Sequence, residues 1–314
     1  MAETYAIEIT PPDISSYRKS NTGIDYVTTF DSGKPGPHVY VNALTHGNEI
    51  CGAIAVDRLF RLGVRPAQGK LSLGFANVAA FRTFDPRNPT ASRFVDEDIN
   101  RLWDAATLNG QRKSVELARA RELRPFIETV DFLLDIHSMQ HSTEALMLAG
   151  LTEKSLELAH RVGAPRLIVR DKGHSAGSRM RDYGALGDPA SPKAALLIEC
   201  GQHWEKAAAD VAHDVTWRFL AVTGTLSPAE SERQMTRPPA DQRVITVTQA
   251  VTITSDRFEF LRDYRGLEVI PRQGTVIARD GGREVRTPYD NCVLIMPSRR
   301  LNRGQTAVRL GRYG

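Results

Sequence analysis

The sequence predicts an α/β fold, with a mixed, mostly parallel central sheet flanked by helices and a small all-β C-terminal domain. Three observations carry this. Short, nearly continuous apolar runs alternate with amphipathic stretches through residue 225, as expected of strands buried on both faces and helices between them. A polar, proline-bearing stretch then fills 226–243. Beyond it only brief β-like runs follow, and Asp280-Gly281-Gly282 between two of them is a hairpin signal.

In chain order, strands are expected at 38–44, 71–78, 130–136, 166–169 and 194–199, each apolar with little interruption. Helices are expected at 49–62, 114–128, 153–162 and 205–222, so that strand and helix alternate around one sheet. After a linker over 226–243, further strands are expected at 244–253, 257–261, 267–270, 275–279, 292–296 and 306–310. The division is therefore 1–225, a linker at 226–243, and a β-rich unit at 244–314.

Composition narrows the function classes. The chain has 314 residues, 41% hydrophobic and 25% charged, enough to bury a substantial core. No apolar run reaches the roughly eighteen residues a membrane span needs, and the N-terminus lacks the pattern of a secretory signal. Cys51, Cys200 and Cys292 are sparse and far apart, which gives neither a disulfide framework nor a metal knuckle. A cytoplasmic protein is the default expectation. The net charge of +4 comes mostly from arginine, interspersed with Asp and Glu, and aromatics are only 7%, so a nucleic-acid partner is not expected.

The chemistry concentrates at strand ends. Thr45-His46-Gly47-Asn48-Glu49 puts His46 after one strand and Glu49 at the start of the next helix. In open α/β sheets, ligand sites collect beyond the carboxyl ends of strands. A His and a carboxylate at this spacing can converge on one ion, or simply form a hydrogen-bonded pair at a helix terminus. The strand at 130–136 runs into His137, with Asp135 two residues earlier on the same side, where it could orient the imidazole. The strand at 194–199 ends on Glu199, a costly place for a carboxylate unless it is paired, hydrogen-bonded or metal-linked. His46, Glu49 and His137 with water would make an open catalytic zinc site, and Glu199 its general base.

Arg93, Asn100 and Arg101 lie between these strands. Asn100 and Arg101 could clamp a substrate carboxylate, and Arg93 could stabilise an oxyanion. The same segment also fits a solvated loop whose arginines pair with Asp96, Glu97 and Asp98. Gly173-His174-Ser175-Ala176-Gly177 fits the GxSxG pattern of serine hydrolases, but the strand before it is interrupted and the sequence after it is a poor helix.

Together, His46-Gly-Asn-Glu49, Arg93 with Asp98-Ile-Asn100-Arg101, Asp135-Ile-His137 and Ile198-Glu199-Cys-Gly201 resemble the succinylglutamate desuccinylase/aspartoacylase family, a branch of the zinc-carboxypeptidase-like fold. The resemblance implies one Zn²⁺ per chain held by His46, Glu49 and His137. It implies Glu199 as the base that activates water, Arg93 at the oxyanion, and Asn100 and Arg101 at the α-carboxylate of an N-acyl amino acid. The activity implied is hydrolysis of a linear amide in a small N-acyl substrate, with 1–225 as the catalytic domain and 244–314 narrowing access. Arg179, Arg181 and Tyr183 lie where relatives hold further substrate carboxylates, and His141 and His203 could line the pocket. The alternatives are a metallocarboxypeptidase acting on peptides and a serine hydrolase using Ser175. The sequence also leaves room for a homo-oligomer.

Overall fold

The computed structural model describes residues 5–173 and 176–314. Among the described residues there are fourteen strands: β1 (Val27–Asp31), β2 (His38–Ala43), β3 (Lys70–Phe75), β4 (Phe132–Met139), β5 (Leu146–Leu148), β6 (Leu167–Arg170), β7 (Ala194–Gln202), β8 (Arg243–Thr252), β9 (Phe258–Phe260), β10 (Glu268–Ile270), β11 (Val276–Asp280), β12 (Arg283–Arg286), β13 (Cys292–Ile295) and β14 (Thr306–Tyr313). Eleven form one sheet in the order β1-β3-β2-β4-β7-β5-β6-β8-β14-β13-β10, and β12-β11-β9 form a second, antiparallel sheet. The centre of the large sheet, β3-β2-β4-β7, is parallel, and β5 runs antiparallel to β7. This is the mixed, helix-flanked sheet the sequence predicts.

Alternation along the central strands separates two cores. Val39, Val41 and Ala43 point to one face with Ile136 and Ile198, beneath the helices Ile50–Arg61 and Lys206–Val222. Tyr40, Leu133 and Ala195 point to the other, under the helix Val115–Ile127. That helix begins where Ser114 Oγ accepts the N–H of Leu117 at 3.0 Å, satisfying a donor the first turn leaves open. Each fully buried aliphatic side chain contributes about 1.5–3 kcal/mol through area removed from water.

Three strands lie outside the sequence expectations. β1 and β12, VTTFD and REVR, are too polar to read as buried strands because each lies at a sheet edge. β5 spans only three residues, yet its Leu146 pairs with Glu199. β4 and β7 also run further than the apolar pattern suggested, so His137 and Glu199 sit inside strands, paired with each other across the β4–β7 ladder. The sheet is continuous into the C-terminal segment, because β8 pairs in parallel with β6 from Leu167↔Arg243 to Arg170↔Thr246. The stretch at 226–243 contains one short helix, Pro228–Glu232. The hairpin expected at Asp280 forms: Asp280 pairs with Arg283, and Gly281 and Gly282 take the positive φ values, 59° and 93°, that a two-residue turn requires.

Candidate metal centre

The strand β2 ends at Ala43, and Leu44 then takes a left-handed φ of 57°, unusual for a branched side chain. This turn ends the strand just before Thr45 and His46. Gly47 follows because nothing larger fits: a Cβ there would lie 2.4 Å from backbone atoms of Ala80, Phe81 and Ser92. Its N–H donates to Arg93 O at 3.1 Å, which ties the His46 loop to the arginine segment. Glu49 sits just before the helix Ile50–Arg61.

Glu49 bridges the two histidines. Its Oε1 is 2.7 Å from His46 Nδ1 and its Oε2 is 2.8 Å from His137 Nδ1. One ligand atom from each residue falls within 4.8 Å of the others, and all three residues are buried. The outer nitrogens are backed by carboxylates, with His46 Nε2 2.9 Å from Asp98 Oδ1 and His137 Nε2 2.8 Å from Asp135 Oδ2. Asp135 is itself fixed by Asn42 Nδ2 and Thr45 Oγ1, which donate at 2.7 and 2.8 Å. Imidazoles turned inward by carboxylates behind them are the donor set that suits zinc, so these residues fit the ion.

The electrostatics follow from this packing. Burial alone would lower the His137 pKa, but Asp135 and Glu49 outweigh it and hold it well above the ordinary value. Burial would raise Glu49, yet His46 and His137 pull it well below the carboxylate range. Asp98 behaves likewise, with His46, Arg93 and Arg101 overcoming its burial. Glu199 goes the other way: burial pushes its carboxyl up to about 8. Its Oε2 is buried and finds no hydrogen-bond partner among the described residues.

A cavity of about 760 Å³ opens over this cluster, and His46, Glu49, Arg93, His137 and Glu199 all line it. Arg93 Nη1 is 3.2 Å from Glu49 Oε1, and its Nη2 is 3.0 Å from Asp98 Oδ2 and 2.8 Å from His46 Nε2. Asn100 and Arg101 also face the cavity. The Asn100 amide oxygen accepts the Met180 N–H at 2.9 Å, and its Nδ2 lies 3.5 Å from His137 Nε2. Burial draws Arg101 down to about 10, and its nearest acid, Asp98, is 3.7 Å away.

Of the three residues at 179–183, only Arg179 lines the cavity, held on Asp171 at 2.9 Å. Arg181 is buried against Ala149 O and Ala195 O, and Tyr183 donates to Glu128 on the exterior. His203 is buried, 2.9 Å from Ser138 Oγ, and burial lowers its pKa to about 3. His141 lines the cavity beside Tyr5. Ser175 and His174 lie outside the described residues. Sequence reasoning missed the backing role of Asp98, whose only signal was its place in Asp98-Ile-Asn100-Arg101. It also missed Arg309 of β14, whose Nε lies 3.0 Å from Asp171.

Residues 35–212, more than half of the chain, match the succinylglutamate desuccinylase/aspartoacylase catalytic domain. The chain belongs to the succinylglutamate desuccinylase/aspartoacylase family. A rat N-acyl-aromatic-L-amino acid amidohydrolase (carboxylate-forming) is 29% identical over 143 residues, which cover 41% of this chain and 42% of the rat protein. The chain thus aligns with less than half the length of that curated relative. Among solved structures, the succinylglutamate desuccinylase of Vibrio parahaemolyticus superposes with a TM-score of 0.66 at 16% identity, covering 92% of this chain and 86% of that one. Murine aminoacylase 3 does so with a TM-score of 0.58 at 19% identity, covering 90% and 96%. At these identities the structural neighbours establish that the family member shares their fold. Among its described residues, no helix is long and apolar enough to cross a membrane.

Proposed function

We propose that this family member is a zinc-dependent hydrolase that cleaves the linear amide bond of a small N-acyl amino acid or related N-acyl amine. The reading rests on Glu199, a buried carboxyl with an unpartnered oxygen, paired across β4 and β7 with His137 and opening onto the same cavity as the His46–Glu49–His137 cluster. Zinc held by those three residues would polarise the scissile carbonyl and make water a stronger acid. Glu199 takes the proton from the attacking water and returns it to the leaving nitrogen, a double role that suits a carboxyl poised near neutrality. Arg93 steadies the negative charge that grows on the carbonyl oxygen. Arg101, with Asn100 beside it, binds the α-carboxylate.

The products are a carboxylic acid and a free amino acid or amine. Tyr264, Met296 and Arg309 wall the cavity from the C-terminal segment, and we assign 244–314 the role of restricting entry to small substrates. Three free, buried cysteines fit a reducing compartment, and we place the protein in the cytoplasm.

The test is zinc content by plasma mass spectrometry, beside turnover of a panel of N-acetyl and N-succinyl amino acids. About one zinc per chain is expected, lost in the His46→Ala/His137→Ala variant. Glu199→Gln should keep zinc and lose about 10²–10⁴-fold in turnover. No zinc after resupply, or turnover of Glu199→Gln at the wild-type rate, would overturn the reading.

A further inference from the structure

His203 stands just past the end of β7, beyond a bulge in the ladder with β4. His137 pairs with Glu199 and Met139 with Gln202, so three steps along β7 match two along β4. Gly201 lies within the bulge at a φ of 121°, a value that favours glycine. Bulges of this kind re-aim side chains beside active sites. The His203 N–H donates to Met139 O at 2.9 Å, and Trp204 Nε1 donates to Asn48 O at 3.3 Å. The corner is thereby pinned to β4 and to the His46–Glu49 turn.

His203 is 3% exposed and lines the cavity over the candidate metal centre. Its Nδ1 lies 2.9 Å from Ser138 Oγ, and the Ser138 N–H donates to Glu49 Oε2 at 3.3 Å. One serine thus joins the imidazole to a residue of the metal cluster. Among the described residues Nε2 makes no hydrogen bond, and Ser138 Oγ bonds only to Nδ1. A buried polar atom without a partner is costly, and a ligand that supplies one offsets the cost. Burial lowers the ring's pKa to about 3, so near neutral pH it offers one N–H and one lone pair. Ser138 Oγ can accept the proton of Nδ1, which leaves the Nε2 lone pair for the cavity.

In an N-acyl amino acid, Arg93 and Arg101 answer the carbonyl oxygen and the carboxylate, and the amide N–H is the polar group left over. We infer that His203 is a substrate-binding residue whose Nε2 accepts the N–H of the scissile amide, so that amides are preferred over esters of the same shape. With its N–H held, the nitrogen keeps its lone pair free for the proton from Glu199 as the carbonyl carbon becomes tetrahedral. The inference rests on the proposed hydrolase reading for its substrate, but not for the tautomer of the ring.

The test pairs the fastest N-acyl amino acid of the panel with its ester isostere, the same acyl group on the corresponding 2-hydroxy acid. Both are assayed with zinc-loaded wild type, His203→Leu and His203→Gln. His203→Leu is expected to lower kcat/KM for the amide about tenfold more than for the ester, with partial recovery in His203→Gln, whose side-chain oxygen can accept. Equal losses on both substrates, as a merely structural role gives, overturn the assignment, and so does no loss on either. Nitrogen-15 shifts of the His203 ring in wild type need neither turnover nor a variant. A proton on Nδ1 and a bare Nε2 support the acceptor; a proton on Nε2 removes it. A wild type that cleaves nothing in the panel counts against the hydrolase reading alone, and calorimetric titration with N-acetylalanine and O-acetyl-lactate then decides. Tighter binding of the amide that His203→Leu abolishes supports the inference; equal affinity, or no binding of either, overturns it.

Discussion

Asp98 Oδ1 lies 2.9 Å from His46 Nε2, so a carboxylate backs the imidazole on the side turned away from Glu49. His137 likewise has a carboxylate behind it, Asp135, while the outer nitrogen of His46 also has Arg93 Nη2 at 2.8 Å. A carboxylate in this position fixes the ring and makes its inner nitrogen a better donor.

Asp98→Asn keeps the shape and loses the charge. Zinc affinity should fall by roughly 10–100-fold, as for other carboxylates behind ligating histidines. Competition with a chromophoric chelator measures this directly. Wild-type affinity in Asp98→Asn would reduce Asp98 to an ion-pair partner of Arg93.

The proton on His137 sets the pH dependence of metal binding. Asp135 and Glu49 outweigh the burial that would lower its pKa, so the metal-free ring holds its proton to higher pH than an ordinary imidazole does. Ligation requires a neutral ring, so binding must release this proton, and affinity should rise with pH until His137 loses it unaided. Calorimetry at neutral pH in buffers of different ionisation enthalpy should read release of about one proton per zinc from this ring. A heat of binding that does not vary with buffer would contradict the prediction.

Gly47 is required by a close approach, because a Cβ there meets three backbone atoms at 2.4 Å and backbone cannot swing aside as a side chain can. Gly47→Ala must push the His46 loop off the Ala80–Phe81 backbone or away from Arg93. The cost should be about 1–3 kcal/mol of stability, as for other overpacked sites. Because His46 and Glu49 flank the glycine, zinc content should fall with it. Thermal unfolding and metal analysis of the same sample check both effects, and full zinc content in a destabilised variant would separate fold from site.

The convergence of His46, Glu49 and His137 into a cluster that could hold a metal ion was legible in the sequence, because local chemistry gives each a signal. His46 comes after the apolar run of β2, while His137 and Glu199 lie at the ends of runs too apolar to be anything but buried. What the sequence did not reveal depends on contacts between distant segments. Asp98 looks like one of three acids in a solvated loop until the fold sets it against His46. Arg300 and Arg309 reach the cavity only because β8 joins β6 and carries the later strands alongside it. The composition change at 226–243 marks a change in texture, whereas backbone pairing is a matter of partners that composition does not encode.

Glu199 should make the stability of the metal-free protein fall as pH rises. Burial lifts its carboxyl to about 8 in the folded chain, above the ordinary 4.5. The folded state therefore holds the proton more tightly than the unfolded state does. This contribution is fully present below the unfolded pKa and is lost as pH climbs through the folded one. Between about pH 4.5 and 8 the metal-free wild type should lose stability relative to Glu199→Gln, whose amide has no proton to give up. Denaturant midpoints of the two chelator-treated proteins across that range test this. Parallel pH profiles would mean that Glu199 is already ionised in the folded chain, and its role as the proton carrier would then have to rest on zinc, not on burial.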